Sequence, residues 1–115
     1  MKIYHNPRCM KSRQTLAIIQ ENGVIPDVVL YLEKPPTKTA LKKILKMLGL
    51  KPEELLRRGE AIYKDNYKGK ELTNEEWIDA MIEHPKLIER PIVVSGDKAV
   101  IGRPPENVLD LISKS

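Results

Sequence analysis

The order in which strand-like and helix-like segments follow one another constrains the fold of this chain most. Residues 2–5 are rich in β-forming side chains and predict a short strand. A helix is expected from about Lys11 to the stop signal Asn22-Gly23. Residues 28–32 form a continuous apolar run, which predicts a strand buried on both faces. The first part of the chain is therefore predicted to be a β-α-β unit.

The last part of the chain predicts a second half of the same sheet. Residues 92–94 and 99–101 are β-branched or apolar and flank the turn residues 95–98, as in a β-hairpin. A final helix is expected to place four apolar side chains on its inner side, namely Val108, Leu109, Leu111 and Ile112. A β-α-β half followed by a β-β-α half is typical of the thioredoxin-like class of α/β proteins, which has one mixed sheet.

A helical insertion separates these two halves, over about residues 37–86. Thr37 is expected to cap a helix whose apolar side chains follow helical spacing and which ends at Gly49. A short helix is predicted from Pro52, and residues 59–72 are predicted to be an irregular loop. Thr73 and Glu76 then form a capping-box pattern before another helix. With 115 residues, the chain (1–115) is predicted to be a single domain.

The composition argues against several classes of function. The net charge is +4, and aromatic residues make up 4%, without the clustered basic stripe typical of nucleic-acid binding. No apolar run is long enough to span a membrane, and no signal-peptide pattern opens the chain, so the cytoplasm is the expected location. With one cysteine and two histidines, we expect no metal site and no bound cofactor.

Cys9 is the candidate nucleophile. It lies between the first predicted strand and the first predicted helix, where backbone amides and the helix dipole favour negative charge. Arg8, Lys11 and Arg13 add positive charge around it. A cysteine in such surroundings has a lowered pKa and is a reactive thiolate. The same amides can hold an oxyanion beside the sulfur, so nucleophile and anion would meet at one place.

Ser12 occupies the position where a Cys-x-x-Cys motif has its second thiol. Since the chain contains no other cysteine, it cannot resolve a mixed disulfide by itself. Any redox cycle on Cys9 must therefore be completed by an external thiol such as glutathione.

The cysteine loop and four later segments together resemble the glutaredoxin-dependent arsenate reductases. The similarity covers nearly the whole chain and is specific because the segments occur in the same order. They are IYHNPRCMKSR (3–13), LYLEKPP (30–36), ELLR (54–57), HPKLIERPIVV (84–94) and IGRPPENVL (101–109).

The resemblance assigns roles to particular residues. It implies that Cys9 is the nucleophile and that three arginines bind the oxyanion, namely Arg57, Arg90 and Arg103. Guanidinium groups suit this task because they bind tetrahedral oxyanions in a bidentate manner. Pro91 matches the cis-proline that thioredoxin-like folds place opposite the cysteine. His5 is implied to lower the thiol pKa by its charge or a hydrogen bond, and Ser12 to hydrogen-bond the thiolate or to cap the helix.

The activity that the resemblance implies is reduction of arsenate to arsenite. Arsenate, or a similar oxyanion, would be the substrate, with glutathione as co-substrate and glutaredoxin as protein partner. Two alternatives remain open. A glutathione-dependent thiol transferase would act on mixed disulfides and would not need three arginines. A regulator of the Spx type would share the fold and bind RNA polymerase, although such regulators often carry the second cysteine that this chain lacks.

Overall fold

The computed structural model describes residues 1–114, which contain four strands and five α-helices. The strands are β1 (Lys2–Tyr4), β2 (Asp27–Val29), β3 (Ile92–Ser95) and β4 (Lys98–Ile101). The α-helices are α1 (Met10–Glu21), α2 (Lys38–Leu48), α3 (Ala61–Asn66), α4 (Asn74–Glu83) and α5 (Val108–Lys114). Short 3-10 helices cover Pro52–Leu55, Pro85–Leu87 and Pro105–Asn107.

The strands form one mixed sheet in the order β2-β1-β3-β4. Strand β1 runs parallel to β2 and antiparallel to β3, so that Ile3 lies opposite both Val28 and Val93. Strand β3 then pairs with β4 in an antiparallel hairpin. This sheet, with its β-α-β half and its β-β-α half, confirms the predicted thioredoxin-like α/β class.

The hairpin between β3 and β4 has a two-residue loop. Ser95 pairs with Lys98, which leaves Gly96 and Asp97 at the turn. Gly96 has a φ of 61°. A tight hairpin turn needs such positive φ values, and glycine adopts them without steric cost. The turn predicted at residues 95–98 is confirmed.

The described chain forms two compact units. One joins Met1–Lys34 to the segment from Arg90 onward, and the other is Pro35–Glu89. The first unit contains the sheet with α1 and α5, and the predicted helical insertion falls within the second. The single domain over 1–115 stays a prediction, and Ser115 lies outside the described residues. Within residues 1–114, no helix is both long and apolar enough to cross a membrane.

The core of the first unit lies between the sheet and helices α1 and α5. Its fully or almost fully buried side chains are Ile3, Ile19, Val93, Val108 and Leu111. Burying one such side chain stabilises a protein by about 1.5–3 kcal/mol. Val108, Leu111 and the partly buried Ile112 lie on the face of α5 that meets the core, whereas Leu109, predicted to face inward, is 43% exposed.

The second unit is built around α2 and α4, whose ends match the predicted signals. Thr37 accepts a hydrogen bond from the backbone amide of Ala40, and Gly49 ends α2 in the left-handed conformation. Thr73 and Glu76 form the expected capping box at the start of α4. Apolar faces of both helices are buried, including Leu41, Ile44, Leu45, Trp77, Ile78 and Met81.

The run of apolar residues 28–32 was expected to be a doubly buried strand, and this prediction is wrong. Strand β2 ends at Val29, and the chain turns over the next four residues, where Glu33 and Lys34 donate backbone hydrogen bonds to the carbonyl of Leu30. Because β2 is an edge strand, its side chains are only partly covered: Val28 is 46% exposed. Tyr31 is the fully buried residue of this run.

Residues 59–72, predicted to be an irregular loop, contain the short helix α3. None of its residues is buried, so it lacks the apolar periodicity that marks a helix in a sequence. Its Tyr63 stacks on Trp77 of α4, with ring centroids 6.5 Å apart. Tyr67, just after α3, also packs on Trp77. Helix α3 and the residue after it therefore contact α4 through aromatic side chains.

Candidate active site

Cys9 lies at the end of a tight turn and is the N-cap residue of α1. The turn is closed by a hydrogen bond of 3.0 Å from the amide of Cys9 to the carbonyl of Asn6. The side-chain oxygen of Asn6 also accepts from the amide of Arg8, at 3.0 Å. Pro7 occupies the second turn position, where its fixed φ is favourable. The Asn-Pro-Arg-Cys sequence thus explains why the cysteine lies directly before the helix.

The thiol of Cys9 is surrounded by hydrogen-bond donors. Burial by itself would raise the pKa of Cys9, whose side chain is 9% exposed. The backbone amides of Ser12 and Lys11 and the side chain of Arg90 hydrogen-bond the sulfur, and the charge of Arg90 adds to their effect. These interactions outweigh burial and lower the pKa of Cys9 below its ordinary value. The predicted thiolate therefore has a physical basis in α1 and one arginine.

Two of the three predicted oxyanion-binding arginines lie at the cysteine. Arg103 directs Nη2 toward the Cys9 sulfur at 3.5 Å, and its Nε donates to the carbonyl of Arg90 at 2.8 Å. The hydrogen bond of Arg90 to the sulfur completes the group. A thiolate and two guanidinium groups thus converge from three separate segments of the first unit.

Arg57 belongs to the second unit. Its Nη1 donates to Oε1 of Glu89 at 2.6 Å, and its Nε is buried without a hydrogen-bond partner among the described residues. An antiparallel bridge between Leu56 and Ile88 holds the two backbone segments together. The structure thus shows Arg57 paired with a carboxylate, and its predicted role in oxyanion binding stays a prediction.

His5 and Ser12 form a buried pair under the cysteine loop. Nδ1 of His5 lies 2.7 Å from Oγ of Ser12, which also accepts from the amide of Asn6 at 3.0 Å. Burial lowers the pKa of His5, which favours the neutral form of its ring, and the predicted effect of His5 on the thiol stays a prediction. The Ser12 hydroxyl therefore stabilises the loop by hydrogen bonding, whereas the backbone amide of Ser12 donates to the Cys9 sulfur.

Both arginines at the cysteine precede cis peptide bonds. These bonds are Arg90-Pro91 and Arg103-Pro104. The resemblance implied a cis-proline at position 91 only.

Three residues that the sequence analysis did not single out hold the Arg103 segment in place. Thr15, fully buried on α1, donates its hydroxyl to the carbonyl of Lys11 at 2.8 Å, and the same hydroxyl lies 3.3 Å from the carbonyl of Gly102. Gly102 packs so closely that a Cβ atom there would lie 2.5 Å from the Thr15 hydroxyl oxygen. Asn107 donates to the carbonyls of Ile101 and Arg103, both at 3.1 Å. The sequence contains one indication that Thr15 is buried, since it lies on a helical face that also carries apolar residues.

No group of three or more His, Cys, Asp or Glu side chains that could hold a metal ion occurs in residues 1–114. The hydrogen bonds to Cys9 offer a different chemistry, that of a thiol with a lowered pKa beside arginine side chains. Fold and site together define a thioredoxin-like thiol protein whose one cysteine lies beside two arginines.

The chain belongs to the ArsC family, whose model matches residues 4–111. It is 54% identical to the uncharacterised protein YfgD of Escherichia coli K12 over 97% of this chain and 96% of that protein. It is 46% identical to an arsenate reductase of Haemophilus influenzae, over 96% of this chain and 97% of the relative. Among solved structures, an arsenate reductase from Vibrio cholerae matches with a TM-score of 0.90 and 47% identity, covering 95% and 94% of the two chains.

Proposed function

We propose that this protein reduces arsenate to arsenite, with Cys9 as the nucleophile. One observation carries the proposal: the Cys9 sulfur, with a lowered pKa, is hydrogen-bonded by both Arg90 and Arg103. Arsenate is a tetrahedral oxyanion, so a thiolate that attacks it needs cationic donors beside it to offset charge repulsion. Relatives from several bacteria that match over nearly the whole of this chain are named arsenate reductases.

The first step forms a bond between sulfur and arsenic. The Cys9 thiolate attacks arsenic, and one arsenate oxygen leaves as water after protonation. Arg90 and Arg103 would bind the remaining oxygens, since each guanidinium offers paired N–H donors. Arg57 is proposed as a third ligand on the strength of the resemblance.

The second part of the reaction needs thiols from outside the chain. Glutathione attacks the adduct and displaces a second oxygen as water, which gives arsenic two sulfur ligands. A glutaredoxin thiolate then attacks the glutathione sulfur, and the electron pair of the sulfur–arsenic bond stays on arsenic. Arsenic(V) thereby becomes arsenic(III), the two external thiols become one mixed disulfide, and addition of water releases arsenite and the Cys9 thiol. Cys9 as the one cysteine of the chain supports this dependence on external thiols.

The test is arsenate-dependent NADPH oxidation, coupled through glutathione, glutaredoxin and glutathione reductase. We expect turnover in the wild type and none above background in Cys9→Ser. Arg90→Lys and Arg103→Lys should each lower kcat/KM for arsenate by about tenfold or more, which corresponds to about 1.4 kcal/mol of transition-state stabilisation. Arg13→Lys, at an exposed position of α1, is the matched control and should stay near the wild-type rate.

The same assay tests Arg57. Arg57→Lys should lower kcat/KM for arsenate, whereas Arg58→Lys, at the exposed neighbouring position, should not. Equal rates for these two variants would remove Arg57 from the proposed site. If the wild type shows no turnover, while Cys9 exchanges readily with mixed disulfides, the protein is instead a thiol transferase.

A further inference from the structure

A cavity of about 280 Å³ lies in the first unit beside the cysteine loop. Its walls come from two loops, each of which follows the carboxyl end of a strand of the parallel pair β1 and β2. One loop contributes His5 to Arg8, directly before Cys9, and the other contributes Leu30, Leu32 and Glu33. The carboxyl ends of parallel strands are a common place for ligand binding in α/β proteins.

The chemistry of the walls is that of a site for a small peptide with charges of both signs. Leu30 and Leu32 are 38% and 37% exposed, so apolar surface stays open there. Arg8 and Glu33 are both exposed, one from each loop. Neither side chain makes an ion pair or hydrogen bond with another described residue. A guanidinium and a carboxylate, neither paired with a described residue, thus come from the two loops that line the cavity.

His5 adds a buried polar group to the same cavity. It is 6% exposed and lines the cavity, and its Nδ1 is engaged by the Ser12 hydroxyl. Ser12 Oγ already accepts from the amide of Asn6. In the tautomer in which Ser12 donates to Nδ1, the Nε2 of His5 carries the ring hydrogen and can donate to a ligand oxygen.

We infer that this cavity binds glutathione, the external thiol that the proposed function requires. Arg8 would bind a carboxylate of the tripeptide and Glu33 its ammonium group, while the leucines pack against its methylene groups. The inference rests on the proposed function for the role of the bound thiol. Because Arg8 directly precedes Cys9, the cavity adjoins the loop that carries the nucleophile.

The direct test is titration of the wild-type protein with S-methylglutathione, which cannot react because it has no free thiol. Binding is followed by ¹H–¹⁵N chemical shifts and by calorimetry. We expect the largest shifts at residues 5–8 and 30–33. Arg8→Glu and Glu33→Lys should each raise the dissociation constant by about tenfold, as expected when a charge attraction becomes a repulsion. Lys98→Glu and Glu21→Lys, at exposed positions of the same unit, make the same charge changes away from the cavity and should bind as the wild type does.

A second readout comes from the coupled assay. Glu33→Lys, which lies outside the cysteine loop, should raise KM for glutathione and leave KM for arsenate unchanged. The inference is overturned if S-methylglutathione does not bind, if its shifts lie elsewhere, or if the cavity variants bind as tightly as their controls. If binding occurs as expected but the protein does not turn over arsenate, the cavity assignment stands and the proposed function fails.

Discussion

At the scale of single residues, the reactivity of Cys9 is set by a competition between burial and hydrogen bonding. The amides of Ser12 and Lys11 are fixed by α1, whereas Arg90 reaches the sulfur from a distant segment. The sequence predicted the contribution of the helix, because Cys9 directly precedes it. The contact with Arg90 could be expected only from resemblance, since no local pattern relates residues so far apart in the chain.

We expect Arg90→Gln to raise the pKa of Cys9. The variant loses both a hydrogen bond to the thiolate and a positive charge, so at neutral pH less of the cysteine is ionised. The rate of alkylation by iodoacetamide, measured against pH, gives the pKa directly. Arg58→Gln removes one exposed positive charge outside the cysteine loop and should leave the profile near that of the wild type. Superimposable profiles for Arg90→Gln and the wild type would contradict the proposed role.

Ser12→Ala should destabilise the protein, although alanine favours helices. The Ser12 hydroxyl is fully buried and hydrogen-bonded to His5 and to the amide of Asn6, and the variant leaves both groups unpaired. A buried polar group without a partner costs about 1–3 kcal/mol in the free energy of unfolding. Urea denaturation provides the measurement. Gln14→Ala, at an exposed position of the same helix, is the control, and an equal effect of the two substitutions would argue against this account.

At the scale of elements, the contact between Gly102 and α1 positions Arg103. A Cβ at position 102 would lie 2.5 Å from the Thr15 hydroxyl oxygen and 2.8 Å from a side-chain carbon of Pro91, both closer than atoms can pack. We expect Gly102→Ala to cost about 1–3 kcal/mol of stability and to displace the segment that carries Arg103.

Two measurements check this expectation. Thermal unfolding gives the loss of stability, and kcat/KM for arsenate should fall because Arg103 moves. Gly59→Ala is the matched control, since a Cβ at Gly59 meets no atom within 4 Å. A Gly102→Ala protein as stable and active as Gly59→Ala would show that the segment can adjust without cost.

The elements that the sequence predicted well are those with local signals. Caps at Thr37 and Thr73 and the left-handed Gly49 mark the ends of α2 and α4. The predictions for strand β2 and helix α3 were wrong for the same physical reason. The structure of both segments depends on the tertiary contacts around them. An apolar run does not reveal whether its strand lies at the centre or the edge of a sheet, and α3 buries no residue of its own.

At the scale of the whole molecule, the order of elements was enough to predict the class of fold. A β-α-β half and a β-β-α half leave few ways to form one sheet, and the structure joins them in the order β2-β1-β3-β4. The arrangement of side chains in the candidate active site could not be predicted from the order of elements. Cys9 and Arg103 lie 94 positions apart, and the segment that carries Arg103 packs against Thr15 of α1 through Gly102. No local pattern predicts a contact between residues so far apart in the chain.

The edge position of β2 leads to a prediction about association between molecules. We expect Asp27→Val to promote self-association at high protein concentration, since it removes the charge from a strand whose Val28 is already 46% exposed. Light scattering against concentration is the measurement. Asp65→Val, at an exposed position of α3, removes the same charge away from the sheet and should not have this effect.

The open edge of the sheet at β2 also affects whether molecules of this protein associate with one another at high concentration. Unpaired backbone groups on an edge strand can template pairing with another chain. Here that edge is only three residues long, begins after a proline that cannot donate a hydrogen bond, and carries a carboxylate at its first position. We therefore expect Pro26 and Asp27, which take no part in the proposed chemistry, to disfavour pairing of this edge with another chain.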